Sequence, residues 1–194
     1  MRKYLLLLLI LFGSAALHAQ DSLMMLLSNG DAKTVNYTQG TFKTTRIVIG
    51  HSADNPYKGD LLFLITHHFG AINTGYENLF GLKQATIRLG LEYGITNWAG
   101  AAVGINTMEN TWDGFLKIKA LRQSTGARRM PVTLTIFGST AITSTKWQHP
   151  ERKNYFSSRI SYAFEAILAR KFSERLSLQV MPTLVHYNLV PTPD

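Results

Sequence analysis

Apolar residues recur at every second position through most of the chain, which is the period of a β-strand rather than a helix. Residues 86–94 show this most clearly, because the apolar and polar positions separate completely onto opposite faces. Residues 155–169 repeat the pattern at greater length, with only Ser158 interrupting the apolar face. Both segments therefore predict strands with one apolar and one polar face.

Five further segments alternate less strictly, each about ten residues long, the length of a tilted membrane strand: residues 60–69, 98–107, 113–121, 132–142 and 176–184. Aromatic residues recur near segment ends, where an interfacial girdle would lie: Phe69, Tyr93, Trp98, Phe115, Tyr155, Phe156, Phe172 and Tyr187. The same alternation also fits a soluble sheet with one wet face. We predict an all-β fold, an antiparallel up-and-down transmembrane β-barrel.

The connections between these seven segments alternate in length as those of an outer-membrane barrel do. Residues 70–85 and 144–154 form long loops on the predicted external side, and residues 95–97 and 170–175 form short periplasmic turns. Residues 41–50 do not fit this order, so they are either threaded through the lumen or periplasmic. Because single-chain bacterial barrels have an even strand number, we expect the barrel to be incomplete at the C-terminus, the N-terminal part of a longer one.

The N-terminus has the three regions of a secretory signal peptide, predicted to cover residues 1–19. Residues 20–40 are then an N-terminal periplasmic or plug segment, and residues 41–194 the barrel domain. The chain has no cysteine and a net charge of +8. Export makes a nucleic-acid partner for this basic chain improbable, so anionic lipid headgroups are the expected electrostatic partner.

Six charged residues fall on the predicted lumen faces: Arg88, Glu92, Lys117, Lys119, Arg159 and Glu165. They form structural ion pairs if the lumen is filled, or a basic lining if it is open. Adjacent His67 and His68 point to opposite faces, which argues against a shared metal ion. His51 and Ser52, like the serines of residues 157–161, have no spacing that specifies a catalytic pair. We predict no catalytic, cofactor-binding or metal-binding residue, and no enzyme activity.

Several stretches resemble a family of predicted outer-membrane β-barrel proteins from Bacteroidota, a domain-of-unknown-function family. They include HHFG at residues 67–70, IRLGLEYGIT at 87–96, DGFLK at 113–117 and LRQSTG at 121–126. The resemblance spans residues 41–191 and implies a membrane barrel with further strands, without an activity, ligand or catalytic residue.

The sequence thus favours an outer-membrane β-barrel protein, either a pore or a structural barrel. Its expected partners are outer-membrane lipids and, during biogenesis, the barrel-assembly machinery. One alternative is a soluble periplasmic lipid-binding β-protein, whose apolar strand faces would point inward. Another is a barrel enzyme that modifies lipids, which would require a catalytic serine.

Overall fold

A computed structural model describes residues 34–47, 50–147 and 149–189. The predicted signal peptide and most of the following segment lie outside these residues. The strands, in chain order, are β1 Val35–Tyr37, β2 Arg46–Ile47, β3 Gly50–His51, β4 Leu61–His68, β5 Thr86–Thr96, β6 Ala99–Asn106, β7 Thr111–Leu121, β8 Ser124–Gly126, β9 Thr133–Thr143, β10 Ile160–Lys171, β11 Ser177–Val180 and β12 Thr183–Tyr187. Short 3-10 helices cover Ile72–Thr74, Tyr76–Gln84, Met108–Asn110 and Phe156–Arg159. In the described part of the chain, no helix is long and apolar enough to cross a membrane.

The main sheet is antiparallel and curls into a half-barrel with the strand order β4-β5-β6-β7-β9-β10-β11. Strand β12 also pairs with β10, directly beyond β11, so the two form one interrupted strand. The break falls at Met181 and Pro182, where proline cannot donate a ladder hydrogen bond. Counted this way, the seven predicted strands are all present. Within the described residues, the two edges, β4 and β11 with β12, do not pair with each other.

Most predicted strand boundaries agree with the structure to within three residues, and the largest difference is at the start of β10. Residues 156–159 form a 3-10 turn, and the strand expected from residue 155 begins only at Ile160. The strand then continues to Lys171, two residues past the predicted end. Ser158, the one interruption of the apolar face, lies within this turn, so the regular alternation begins only at Ile160.

The convex face of the sheet is apolar and exposed. Phe63 on β4 and Val103 on β6 are each 61% exposed, and Leu116 on β7 is 56% exposed. On the concave face, Glu92 and Thr135 are 1% and 0% exposed. A soluble lipid-binding β-protein needs the opposite arrangement, with its apolar faces inward, whereas a barrel in lipid needs apolar residues outside.

Residues 41–47 and 50–57, which we call the inner segment, lie against the concave face. They contain the paired strands β2 and β3; residues 48 and 49 lie outside the described residues. The segment enters beside β8, where Thr38 N donates to Gln123 O at 2.9 Å, and leaves beside β5, where Gly59 N donates to Gly94 O at 2.8 Å. Both points lie at the end of the sheet with the short turns. Residues 41–47 and 50 thus lie inside the curl of the sheet, with the chain entering and leaving at the same end rather than passing through.

The core lies between the inner segment and the concave face. Its buried members are Ala53, Ala102, Phe115, Phe137, Ile167 and Ala169, with Phe42 and Met181 packed at its margin. At one point the backbones approach so closely that a side chain would not fit. A Cβ added to Gly94 would lie 1.9 Å from Tyr57 O. A glycine is required there because the inner segment crosses directly over β5.

Candidate functional site

Lys117 lies at the centre of the concave face, and its side chain is 0% exposed. Its ammonium group donates to three inner-segment carbonyl oxygens: Asp54 O at 2.7 Å, Thr45 O at 3.2 Å and Ser52 O at 3.3 Å. An ammonium group has three N–H donors, so these carbonyls match its full capacity. Alternation along β7 places Lys117 on the same face as Phe115, which is why the lysine points inward.

Glu92 on β5 balances the charge of Lys117. Its Oε1 lies 3.8 Å from Lys117 Nζ, and its Oε2 accepts a 2.9 Å hydrogen bond from Thr45 Oγ1. Both members of the ion pair therefore bind the inner segment as well as each other. Buried charges are tolerated when they are paired and hydrogen-bonded in this way.

A second ion pair joins Arg88 on β5 to Asp113 on β7, across β6. Arg88 Nε donates to Asp113 Oδ1 at 2.8 Å, and Arg88 Nη2 also contacts Oδ2. The guanidinium passes over the paired glycines Gly90 and Gly104, where an added Cβ would lie 2.4 Å from a guanidinium nitrogen. The two glycines thus make the space through which Arg88 reaches its partner.

A third pair holds the start of the inner segment. Lys119 Nζ lies 3.2 Å from Asp54 Oδ1, while Asp54 Oδ2 accepts a 2.7 Å hydrogen bond from Phe42 N. Asp54 therefore links Lys119 on the sheet to Phe42 at the start of the inner segment.

The remaining two predicted lumen charges are placed differently. Arg159 lies in the 3-10 turn before β10, donates to Thr143 O at 2.8 Å, and stacks 3.9 Å from the centre of the Trp147 ring. It belongs to the end of the sheet with the long loops. Glu165 is half-buried on β10, and its Oε2 has no hydrogen bond within the described residues.

His51 packs between two aromatic rings, with ring centres 4.6 Å from Phe115 and 4.2 Å from Phe137. Arg46 Nη1 is 3.3 Å from its Nε2. Burial, and then the positive charges of Arg46 and Lys117, lower the pKa of His51 to about 2. The imidazole is therefore neutral at physiological pH.

The neighbouring hydroxyl of Ser52 is used in holding the hairpin. Ser52 Oγ donates to Thr44 O at 2.6 Å and accepts from Asp54 N at 3.1 Å. No hydrogen bond joins the side chains of His51 and Ser52 within the described residues. Among those residues, no group of three potential metal ligands comes together either.

Sequence reasoning missed two residues that hold the inner segment and one member of an ion pair on the sheet. Gln179 on β11 accepts from Ala53 N at 3.1 Å and donates to His51 O at 2.8 Å. Thr135 Oγ1 on β9 donates to Ala53 O at 3.0 Å. Asp113, the partner of Arg88, was also missed, although its spacing from Lys117 places both on one face of β7. For Gln179 and Thr135, the sequence shows only that they lie on polar strand faces.

Residues 42–194 match the family described as Membrane bound beta barrel domain (DUF5777). The chain belongs to this family. The match begins within the inner segment, so the family domain includes this segment as well as the sheet. Its description agrees with the exposed apolar convex face. Searches of curated proteins and of solved structures gave no match.

Proposed function

We propose that this DUF5777 domain forms a structural outer-membrane barrel whose interior is occluded by its own inner segment. The observation that carries the proposal is Lys117, a fully buried lysine that donates to three carbonyl oxygens of that segment. An open aqueous pore would hydrate a lysine at this position. Here the charge is instead satisfied by backbone oxygens and Glu92.

The outer membrane is the proposed location for two reasons. The family domain is membrane-bound, and the signal peptide predicted from the sequence would carry the chain out of the cytoplasm. Outer-membrane lipids would then contact the convex face, and the barrel-assembly machinery would insert the sheet. The electrostatic partner of a basic domain in this place is an anionic headgroup rather than a nucleic acid.

The charge pairing favours a structural role over an anion-selective pore. Arg88, Lys117 and Lys119 each have a carboxylate partner on the concave face or inner segment. A lining that selects anions needs positive charges that remain free for the solute. The proposal also includes no catalytic step, because Ser52 donates its hydroxyl to a backbone carbonyl rather than to a histidine.

Conductance in planar bilayers tests the occlusion. We expect the purified full-length protein to show little or no steady conductance, and a Lys117→Met variant to show frequent openings because the inner segment loses three hydrogen bonds. Lys83→Met, which removes an exposed loop cation, is the matched control and should behave as the wild type. A large, stable conductance in all three proteins would contradict occlusion.

Membrane location is tested separately by cell fractionation and by heat-modifiable migration of the full-length protein on electrophoresis. We expect recovery in the outer-membrane fraction and a shift in migration after boiling. Recovery as a freely soluble periplasmic monomer would overturn the proposal as a whole.

A further inference from the structure

A cavity of about 480 Å³ lies between the inner segment and the concave side of β4, at the end of the sheet with the short turns. Its volume falls within the range of small-molecule sites, about 300–1,000 Å³. The lining includes the apolar side chains of Phe42, Leu62 and Leu64 and the basic side chains of Lys43, Lys119 and Arg122. One part of the surface is therefore apolar and another is positively charged.

The apolar part is an exception to the pattern of the sheet. On β4, Leu62 and Leu64 point to the concave side, although Leu61 and Phe63 already supply the exposed convex face. Large apolar residues on the concave side of other strands, such as Phe137, are buried in the core. Leu62 and Leu64 are only half-buried and do not belong to that core. They form an uncovered apolar wall inside the curl of the sheet.

The charged part has cations that remain free to bind. Lys119 and Asp54 neutralise each other, with Nζ and Oδ1 3.2 Å apart. Lys43 has no hydrogen bond or ion pair within the described residues. Arg122 Cζ lies over the Tyr37 ring, 3.9 Å from its centre, and the N–H groups of Arg122 have no acceptor among those residues. Besides Asp54, Asp60 is the one carboxylate among the described residues that line the cavity. The two unpaired cations therefore outweigh it, and the lining has a net positive charge.

We propose that this cavity binds a single-chain anionic amphiphile. The carboxylate or phosphate head accepts hydrogen bonds from Lys43 and Arg122, and the acyl chain lies along Leu62 and Leu64. A neutral amphiphile lacks the headgroup interaction, and a small soluble anion lacks contact with the apolar wall. The inference rests on the inner-segment placement used in the proposed function, since that segment forms one wall, although Lys117 itself does not line the cavity.

Dodecanoate is a suitable probe, added to the delipidated full-length protein in a neutral detergent and counted by native mass spectrometry. We expect one saturable equivalent. Dodecanol should bind at least about 10-fold more weakly, since the charge-assisted hydrogen bonds are lost. Inorganic phosphate should not compete at equal concentration. Equal binding of dodecanol, or many non-saturable equivalents, would mean simple partition onto the convex face and would overturn the proposal.

Two pairs of variants separate the headgroup from the chain. Lys43→Ala with Arg122→Ala should weaken dodecanoate binding about 10-fold, and Leu62→Asn with Leu64→Asn should weaken it similarly. The control removes two exposed cations elsewhere, Lys83→Ala with Arg175→Ala, and should bind as the wild type. All variants are compared after confirming unchanged heat-modifiable migration. If the control loses affinity as much as the cavity variants, or if phosphate alone displaces the probe, the proposed site is wrong.

Discussion

Lys117 on β7 and Glu92 on β5 form an ion pair across the intervening strand β6, with Nζ and Oε1 3.8 Å apart and side-chain exposures of 0% and 1%. The small residues of β6 permit this, since Ala102 lies opposite Glu92 and Gly100 lies opposite Lys117. Both members of the ion pair also form a hydrogen bond with Thr45 of the inner segment. Sheet and inner segment are therefore stabilised by the same two charges.

Removing one member of this pair should destabilise the domain more than removing both. Lys117→Met leaves Glu92 buried without its counter-charge, and we expect a loss of about 3–5 kcal/mol in the free energy of unfolding. Lys117→Met combined with Glu92→Gln removes the uncompensated charge and should recover part of that loss. Urea unfolding in detergent micelles, followed by tryptophan fluorescence, measures both. Additive effects of the two substitutions would contradict the coupling.

The glycine at position 104 should be required both by Arg88 and by the neighbouring backbone of β5. A Cβ there would lie 2.4 Å from Arg88 Nη2 and 2.9 Å from Leu89 O, so Gly104→Ala must displace the guanidinium and shift the strand backbone. We expect a cost of about 1–3 kcal/mol. Gly114→Ala is the matched control, because its nearest contact, Ala102 O, is at an ordinary 3.5 Å. Equal stability of the two variants in the same urea titration would show that Arg88 does not need the space.

Stability should fall as the pH falls below about 6.5, owing to His51. Because its pKa is lowered in the folded state, the unfolded chain binds the proton first, and the stability contributed by the neutral ring is lost on acidification. Between pH 7 and pH 5 we expect a loss of about 2 kcal/mol from this residue. His51→Leu should reduce that pH dependence, and His149→Leu, in an exposed loop, should retain it. If the free energy of unfolding of His51→Leu depended on pH as strongly as that of the wild type, groups other than His51 would be responsible.

The strands were predictable from the sequence because each carries its own signal. In residues 86–94, alternation alone fixes which side chains face the lipid and which face inward. The inner segment has no such signal. Its position depends on contacts with residues far along the chain, such as Gln179 with Ala53, which lie 126 positions apart. For the same reason, the sequence could place Lys117 on an inward face but could not show that backbone carbonyls would surround it.

Gln179 offers a test of how firmly the edge strand holds the inner segment. Its side-chain amide forms hydrogen bonds with both Ala53 N and His51 O. Gln179→Met therefore leaves these two backbone groups without partners in a buried region. We expect a loss of about 2–4 kcal/mol, at about 1–2 kcal/mol for each group. Hydrogen exchange should show faster exchange at residues 51–54, with β5 and β6 unchanged.

The control for this substitution lies on the same strand. Ser177 also faces the concave side, but its hydroxyl makes no hydrogen bond within the described residues, so Ser177→Ala should leave exchange at residues 51–54 as in the wild type. Faster exchange through the whole sheet in Gln179→Met would indicate global loosening. The inner segment would then be a part of the barrel fold that cannot move independently, and openings in the conductance measurement would have to arise from the sheet itself.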